Sequence, residues 1–262
     1  MSEGLETTAR EVRRMIIEQA FISHCSHIGS CLSCVDLLTA LYFKTMRLDP
    51  WEERDLFVMS KGHAALALYA TLARREIIPL ETLRSYYLNG GTLPAHLDRF
   101  TAKGIEVSTG SLGHGFNMGL GMAFELQRRH SPRRVYALLG DGETEEGSIW
   151  EGAMFAARHT IGNFTALVDC NDLQGYGRPN ELCAHEPLAD KWRAFGWETQ
   201  EIDGNDMQAV CAALALPVSD KPKVILARTI KGKGVSFMED KLIWHYYFVT
   251  EEVRQQALKE LA

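Results

Sequence analysis

The chain has 262 residues, 46% of them hydrophobic, with a formal charge of −6, enough apolar material to close one large α/β core. The acidic balance leaves no basic stripe for a nucleic-acid backbone, and no apolar run reaches the roughly 18 residues of a membrane-spanning helix. The opening MSEGLETTAREVRR is charged and lacks the apolar heart of a secretory signal, and six cysteines fall at irregular spacing, so the expectation is a cytoplasmic protein with reduced thiols, partnered by neither nucleic acid nor membrane.

Val12, Met15, Ile16, Gln19, Ala20 and Ile22 recur near helical spacing and predict a helix over 8–24; after Gly29, SCVDLLTALYFK continues a helical pattern over 33–44. Between them HCSHIGSCLSCVD places Cys31 and Cys34 near His24, Cys25 and His27. A Cys-x-x-Cys step admits zinc, but no second ligand pair follows, so the two thiols are expected as small buried apolar groups. A strand at 55–59, DLFVM, precedes a helix starting at Gly62, and a polar loop covers about 88–112. Loops of that length in compact domains tend to be functional. A helix from Gly113 then runs to the Ser131-Pro132 breaker, followed by the strand RVYALLG, an acidic turn, a helix over 146–159 and the strand FTALVDCN. A polar loop over 172–186, a helix near 187–195, the strand ETQEID, a helix over 206–214, the strand KVILARTI and a final helix in TEEVRQQALKELA complete the pattern. Strands alternating with helices predict an α/β fold, a mainly parallel sheet flanked by helices on both faces, in one domain spanning 1–262.

In such a sheet, ligands bind beyond the carboxyl ends of the strands. Asp141 sits at the end of RVYALLG and Asn171 at the end of FTALVDCN, so if the two strands are neighbours their tips meet. One carboxylate, one amide oxygen and a main-chain carbonyl just after Asn171 make a hard, incomplete oxygen set that suits Mg²⁺ or Ca²⁺, the remaining ligands being waters or phosphates. The guest this predicts is a metal-bridged diphosphate. Glycines on either side of Asp141 let the backbone approach it, and helix amino termini at the same edge favour the anion.

The stretch from Gly140-Asp141-Gly142 to Asn171 resembles the thiamine diphosphate signature, and nearly the whole chain is similar to the diphosphate-binding (PP-type) domain of transketolases. SHIGSCLSCVDLLTALY, SKGHAALALYATL, STGSLGHGFNMGLGMA, GDGETEEGSIWEGAMFA and TIKGKGVSFMED with a downstream Trp-His match family motifs in the family's order. The resemblance implies that Asp141, Asn171 and the carbonyl of Leu173 hold Mg²⁺, which Ca²⁺ can replace, and that Gly142 lies against the diphosphate. It implies that Gly110 and Leu112 line the cofactor, that His63 reaches diphosphate and substrate, and that His27, His96 and His245 bind sugar hydroxyls or assist proton transfer, as imidazoles titrating near neutrality can. Glu146 and Glu151 match acidic positions at the family's dimer interface, on the helix through which self-association is expected.

The chain departs from the family at Ile28-Gly29, where Pro-Gly is common, at His114, where many members carry Gln, and after Trp244-His245, where it reads YYFVTEE in place of Gly and a basic residue. That last change bears on His245 and on which sugar is accepted. Single-chain transketolases also run to more than twice this length. The expectation is therefore the N-terminal subunit of a split transketolase, its pyrimidine-binding and C-terminal domains on a partner chain in a heterotetramer, moving a two-carbon ketol unit from a ketose or ketose phosphate to an aldose. Alternatives are a transketolase-like enzyme for a sulfonated or branched sugar, a 2-oxo acid dehydrogenase alpha-like subunit, and a non-catalytic regulatory subunit. The glycines of GHGFNMG do not follow Gly-x-Gly-x-x-Gly and give only a weak dinucleotide signal.

Overall fold

Short runs rich in Val, Leu, Ile and Phe become the strands β1 (Leu56–Met59), β2 (Val135–Gly140), β3 (Phe164–Cys170) and β5 (Lys223–Arg228), and ETQEID becomes β4 (Glu198–Asp203), in a computed structural model that describes residues 2–262. All neighbours pair in parallel in the order β1-β2-β3-β5-β4. The central strands are covered on both faces, as parallel strands are. β4, at one edge, is only partly covered and carries Glu198 and Glu201, charges that discourage edge pairing.

Eleven helices surround the sheet: α1 (Ser2–Ser23), α2 (Ile28–Ser33), α3 (Val35–Ala40), α4 (Ala65–Arg74), α5 (Leu80–Arg84), α6 (His114–Arg128), α7 (Gly147–Arg158), α8 (Pro179–Leu182), α9 (Leu188–Ala194), α10 (Met207–Leu214) and α11 (Glu251–Glu260), as counted among the described residues. Side chains alternate across each strand and so build two cores. Phe57, Met59, Tyr136, Leu138, Leu167 and Ile225 pack with α1, α3, α4, α10 and α11. Val58, Ala137, Leu139, Ala166, Val168 and Leu226 pack with α6, α7 and α9 on the other face.

The continuous helix predicted over 33–44 is instead α2, a break at Cys34, α3 and a π-helical turn over Leu41–Thr45. The Ser33 hydroxyl and Cys34 thiol both bond to the Ser30 carbonyl, offering the backbone an alternative to the helical ladder. Cys31 and Cys34 are buried free thiols, as expected. The first helix begins earlier than predicted, at Ser2, and the last strand ends at Arg228 because Thr229 turns its hydroxyl to Asp169. The sequence pattern does not predict the two short helices α5 and α8: both follow or open on a proline, and neither is long enough to show a hydrophobic period.

Candidate functional site

The register of β2 on β3 sets Gly140 opposite Asp169, which brings the two strand tips level. The loops beyond them are laced together: the Asp141 N–H donates to the Asp169 carbonyl (3.3 Å), and the Asp172 N–H donates to Asp141 Oδ2 (2.6 Å). Asp141, Gly142, Asn171 and Leu173 line one cavity of about 290 Å³, together with Gly110 and Leu112. Asn171 Oδ1 accepts from the Leu173 N–H at 3.2 Å. The Asp141 carboxyl is pushed up to about 6 by burial and by the neighbouring Asp169 charge, against the N–H groups of Gly142 and Asp172.

Three histidines face the same space from different segments. The His27 ring lies 5.3 Å from His63 and 4.9 Å from His245, and those two are 5.8 Å apart. His27 holds a left-handed conformation (φ +66°) just before α2, and its N–H donates to the His245 carbonyl at 3.0 Å. Such backbone in a bulky residue is uncommon and needs its surroundings to hold it. His96 is 6.2 Å from His27 but does not line the cavity; it stands beside Gly110, where an added Cβ would meet its ring at 3.5 Å. Burial, then His96 and Lys231, lowers His27 to about 4; burial, then Lys231, lowers His245 to about 3; burial and Lys61 hold His63 well below its usual value. At neutral pH all three are uncharged imidazoles, able both to donate and to accept.

Glu146 and Glu151 are exposed at the start of α7 and one turn along it, and Met154 and Phe155 of the same helix are exposed apolar side chains. His24, His130 and His159, which match no motif, are also exposed, while His185 is buried away from this cavity.

Sequence reasoning missed several groups of the site. Lys61 is buried, pairs with Asp169 and donates to the Ser30 carbonyl (2.9 Å). Burial alone would lower its pKa, but the Asp169 charge outweighs this and raises it. Lys231 Nζ donates to the Leu173 carbonyl (2.6 Å) and lies 3.1 Å from His245 Nδ1; burial, then Lys61, lowers it to about 8. Glu143, buried, accepts from the Ser60 hydroxyl and from the N–H groups of Gly113 (2.9 Å) and Gly140 (3.1 Å), tying three motifs together. The Tyr246 hydroxyl donates to the Gly175 carbonyl (2.8 Å) at the edge of the cavity. A signal for the lysines existed in the sequence, since each stands next to a glycine where an apolar strand ends.

The donor set fits a hard cation carrying a diphosphate. Among the described residues no three His, Cys, Asp or Glu side chains converge on a metal position, and Asp141, Asn171 and Leu173, which line one cavity, offer hard oxygens of the kind a divalent cation takes together with phosphate and water. The buried Lys231 ammonium, bonded to the Leu173 carbonyl, complements an anion, whereas Lys61 in the cavity wall is already paired with Asp169. At Gly142 a Cβ would stand 2.9 Å from the Gln174 side chain, so the bare backbone keeps that wall open.

The family model described as "Transketolase, thiamine diphosphate binding domain" matches residues 6–255. Similar proteins include SqwG of Clostridium sp. (strain MSTE9), a 6-deoxy-6-sulfo-D-fructose transketolase subunit that is 43% identical over 98% of this chain and 96% of that protein. An apulose-4-phosphate transketolase subunit of Phocaeicola vulgatus is 38% identical over 99% of this chain and 94% of its own length. Transketolase of Mus musculus is 35% identical, with 99% of this chain matching 42% of that protein. Among solved structures, transketolase from Campylobacter jejuni superposes with a TM-score of 0.90 at 27% identity, covering 98% of this chain and 42% of the other.

Proposed function

Because the chain belongs to the family of transketolase thiamine diphosphate binding domains, we propose that it is the N-terminal subunit of a split transketolase, a cytoplasmic transferase that moves a two-carbon ketol unit between sugars. The observation that carries this reading is one of coverage: relatives named as subunits match over 94% or more of their length, whereas the single-chain mouse enzyme is matched over 42%. The pyrimidine-binding and C-terminal domains then belong to a second polypeptide, and α7, with Glu146, Glu151 and its exposed Met154, serves self-association.

In this reading Asp141, Asn171 and the Leu173 carbonyl hold Mg²⁺, Gly142 and His63 meet the diphosphate, and Gly110 and Leu112 flank the cofactor. Bound thiamine diphosphate supplies the carbon that accepts and delivers the two-carbon fragment. The chain itself anchors the diphosphate, offsets its charge with Lys231, and offers the neutral rings of His27, His63 and His245 to sugar hydroxyls, while His96 stands behind Gly110. Neutral imidazoles suit a site that must both give and take protons.

A second reading concerns the sugar. Relatives act on 6-deoxy-6-sulfo-D-fructose and on apulose-4-phosphate, and Tyr246 stands where a glycine is common in the family and bonds across to Gly175. A modified ketose as donor is consistent with that altered rim.

Calorimetry tests the cofactor site: the chain binds thiamine diphosphate with Mg²⁺, and Asp141→Ala weakens binding by about a hundredfold, whereas equal binding by the two removes the metal assignment. The purified chain alone shows no ketol transfer, and activity appears on adding the partner. Robust activity without it refutes the split arrangement. With the pair in hand, comparing a sulfonated ketose with an unmodified ketose phosphate as donor decides between the two readings.

A further inference from the structure

β3 is the third of five strands, and its run FTALVDC is apolar apart from Thr165 and Asp169. The Asp169 side chain has no exposure to solvent, and a carboxylate so placed persists only if charge and hydrogen bonds compensate it. Its partners come from four segments. Oδ2 accepts from the Ser33 hydroxyl (2.6 Å), from Asn171 Nδ2 (3.0 Å) and from Lys61 Nζ; Oδ1 accepts from the Thr229 hydroxyl.

An asparagine side chain has two unlike ends, an NH₂ that donates and an oxygen that accepts, and only the oxygen can bind a cation. With Nδ2 committed to the Asp169 carboxylate, Oδ1 is left on the other side, where it accepts from Leu173 N–H and Asn171 lines the cavity. The reversed amide would set oxygen against carboxylate oxygen, which is repulsive. The same carboxylate also neutralises Lys61, which would otherwise place an unbalanced positive charge beside the cation.

We propose that Asp169 is a positioning residue for the cation: it fixes Asn171 with its oxygen towards the cavity and cancels the charge of Lys61. The inference rests on the reading of Asp141, Asn171 and Leu173 as cation ligands and extends it to a residue that touches neither cation nor cofactor.

The test measures Mn²⁺ affinity by electron paramagnetic resonance on the full chain with thiamine diphosphate present, alongside thermal melting. Asp169→Asn preserves shape, because its new NH₂ can donate to the Thr229 hydroxyl, and removes only charge; Mn²⁺ binding weakens by about tenfold or more. The exchange D169N/N171D returns a carboxylate to the same pocket and supplies oxygen whichever way it turns, so affinity recovers to within about threefold of wild type. Thr229→Val, nearly isosteric, removes the partner of Oδ1, frees the carboxylate to turn and weakens binding by about threefold. A folded Asp169→Asn that binds Mn²⁺ like wild type overturns the proposal, as does an exchange variant no tighter than Asp169→Asn. Should Asp169→Asn fail to fold, Thr229→Val decides, and wild-type affinity there overturns it. Wild-type protein that binds no Mn²⁺ overturns the cation-site reading itself, and this inference with it.

Discussion

The depressed pKa values of the three cavity histidines have a sign that can be checked. In the unfolded chain these groups titrate near 6.5, whereas the fold holds His27 near 4, His245 near 3 and His63 well below its ordinary value. From about pH 6.5 down to about 4 the unfolded chain therefore binds protons that the folded chain does not, so stability falls as pH falls through that window. Asp141, raised to about 6, and buried Glu143, raised as well, work the other way, but they are two groups against these three histidines and His185, which burial also lowers. The melting temperature is expected to drop by several degrees between pH 7 and pH 5, and replacing His27 and His245 by Asn flattens that dependence. A melting temperature unchanged or higher at pH 5 contradicts the assignment of these rings as neutral. At this scale the sequence was legible where a motif is local. Asp141, Gly142 and Asn171 stand out as a turn and a strand end, and the parallel register of β2 on β3 brings them to one cavity. Lys61, Glu143 and Lys231 did not stand out, because a glycine beside a lysine at a strand end is a faint signal and the partner that gives a buried charge its role is distant in sequence: Lys61 and Asp169 are 108 positions apart.

At the level of elements, periodicity found the long helices and central strands, and failed where an element is short or bent by its own side chains. The break at Cys34 is the informative case. With α2 ended there, the single Ser33 hydroxyl proton goes to Asp169 (2.6 Å), the Ser30 carbonyl standing as the weaker acceptor at 3.2 Å, so the departure from a regular helix lies beside the buried network under the site. α7 carries a prediction of its own. Its inner residues Ile149, Ala153 and Ala156 are buried against the sheet, while Met154 and Phe155 are exposed and a Cβ added at Gly147 would meet nothing. An uncovered apolar strip beside two glutamates suits a protein contact. Met154→Lys is expected to weaken self-association by at least about tenfold in sedimentation experiments, with the circular dichroism spectrum unchanged. Unaltered self-association places the contact elsewhere.

For the whole molecule, the fold class was legible because strand and helix patterns alternate along the chain, but the position of β5 between β3 and β4 was not. That order brings Thr229 and Lys231, just beyond β5, next to the tip of β3. The larger core also joins distant parts of the chain. Leu5, Val12, Ile16 and Ala20 of α1 share it with Val249, Ala257 and Leu261, and Arg254 reaches Glu18 through two hydrogen bonds of 2.9 and 3.1 Å. Ala257→Glu, which puts an unpaired charge into that seam, is expected to cost about 2 kcal/mol or more in urea unfolding, and a cost within experimental error means that α11 is not part of the cooperative unit. The seam has a consequence for biosynthesis. During synthesis α1 leaves the ribosome long before α11, so while α3 and α4 can cover much of its apolar face early, the part that meets Val249, Ala257 and Leu261 stays open until α11 follows. Until then that part of the nascent protein presents an apolar surface suited to chaperones.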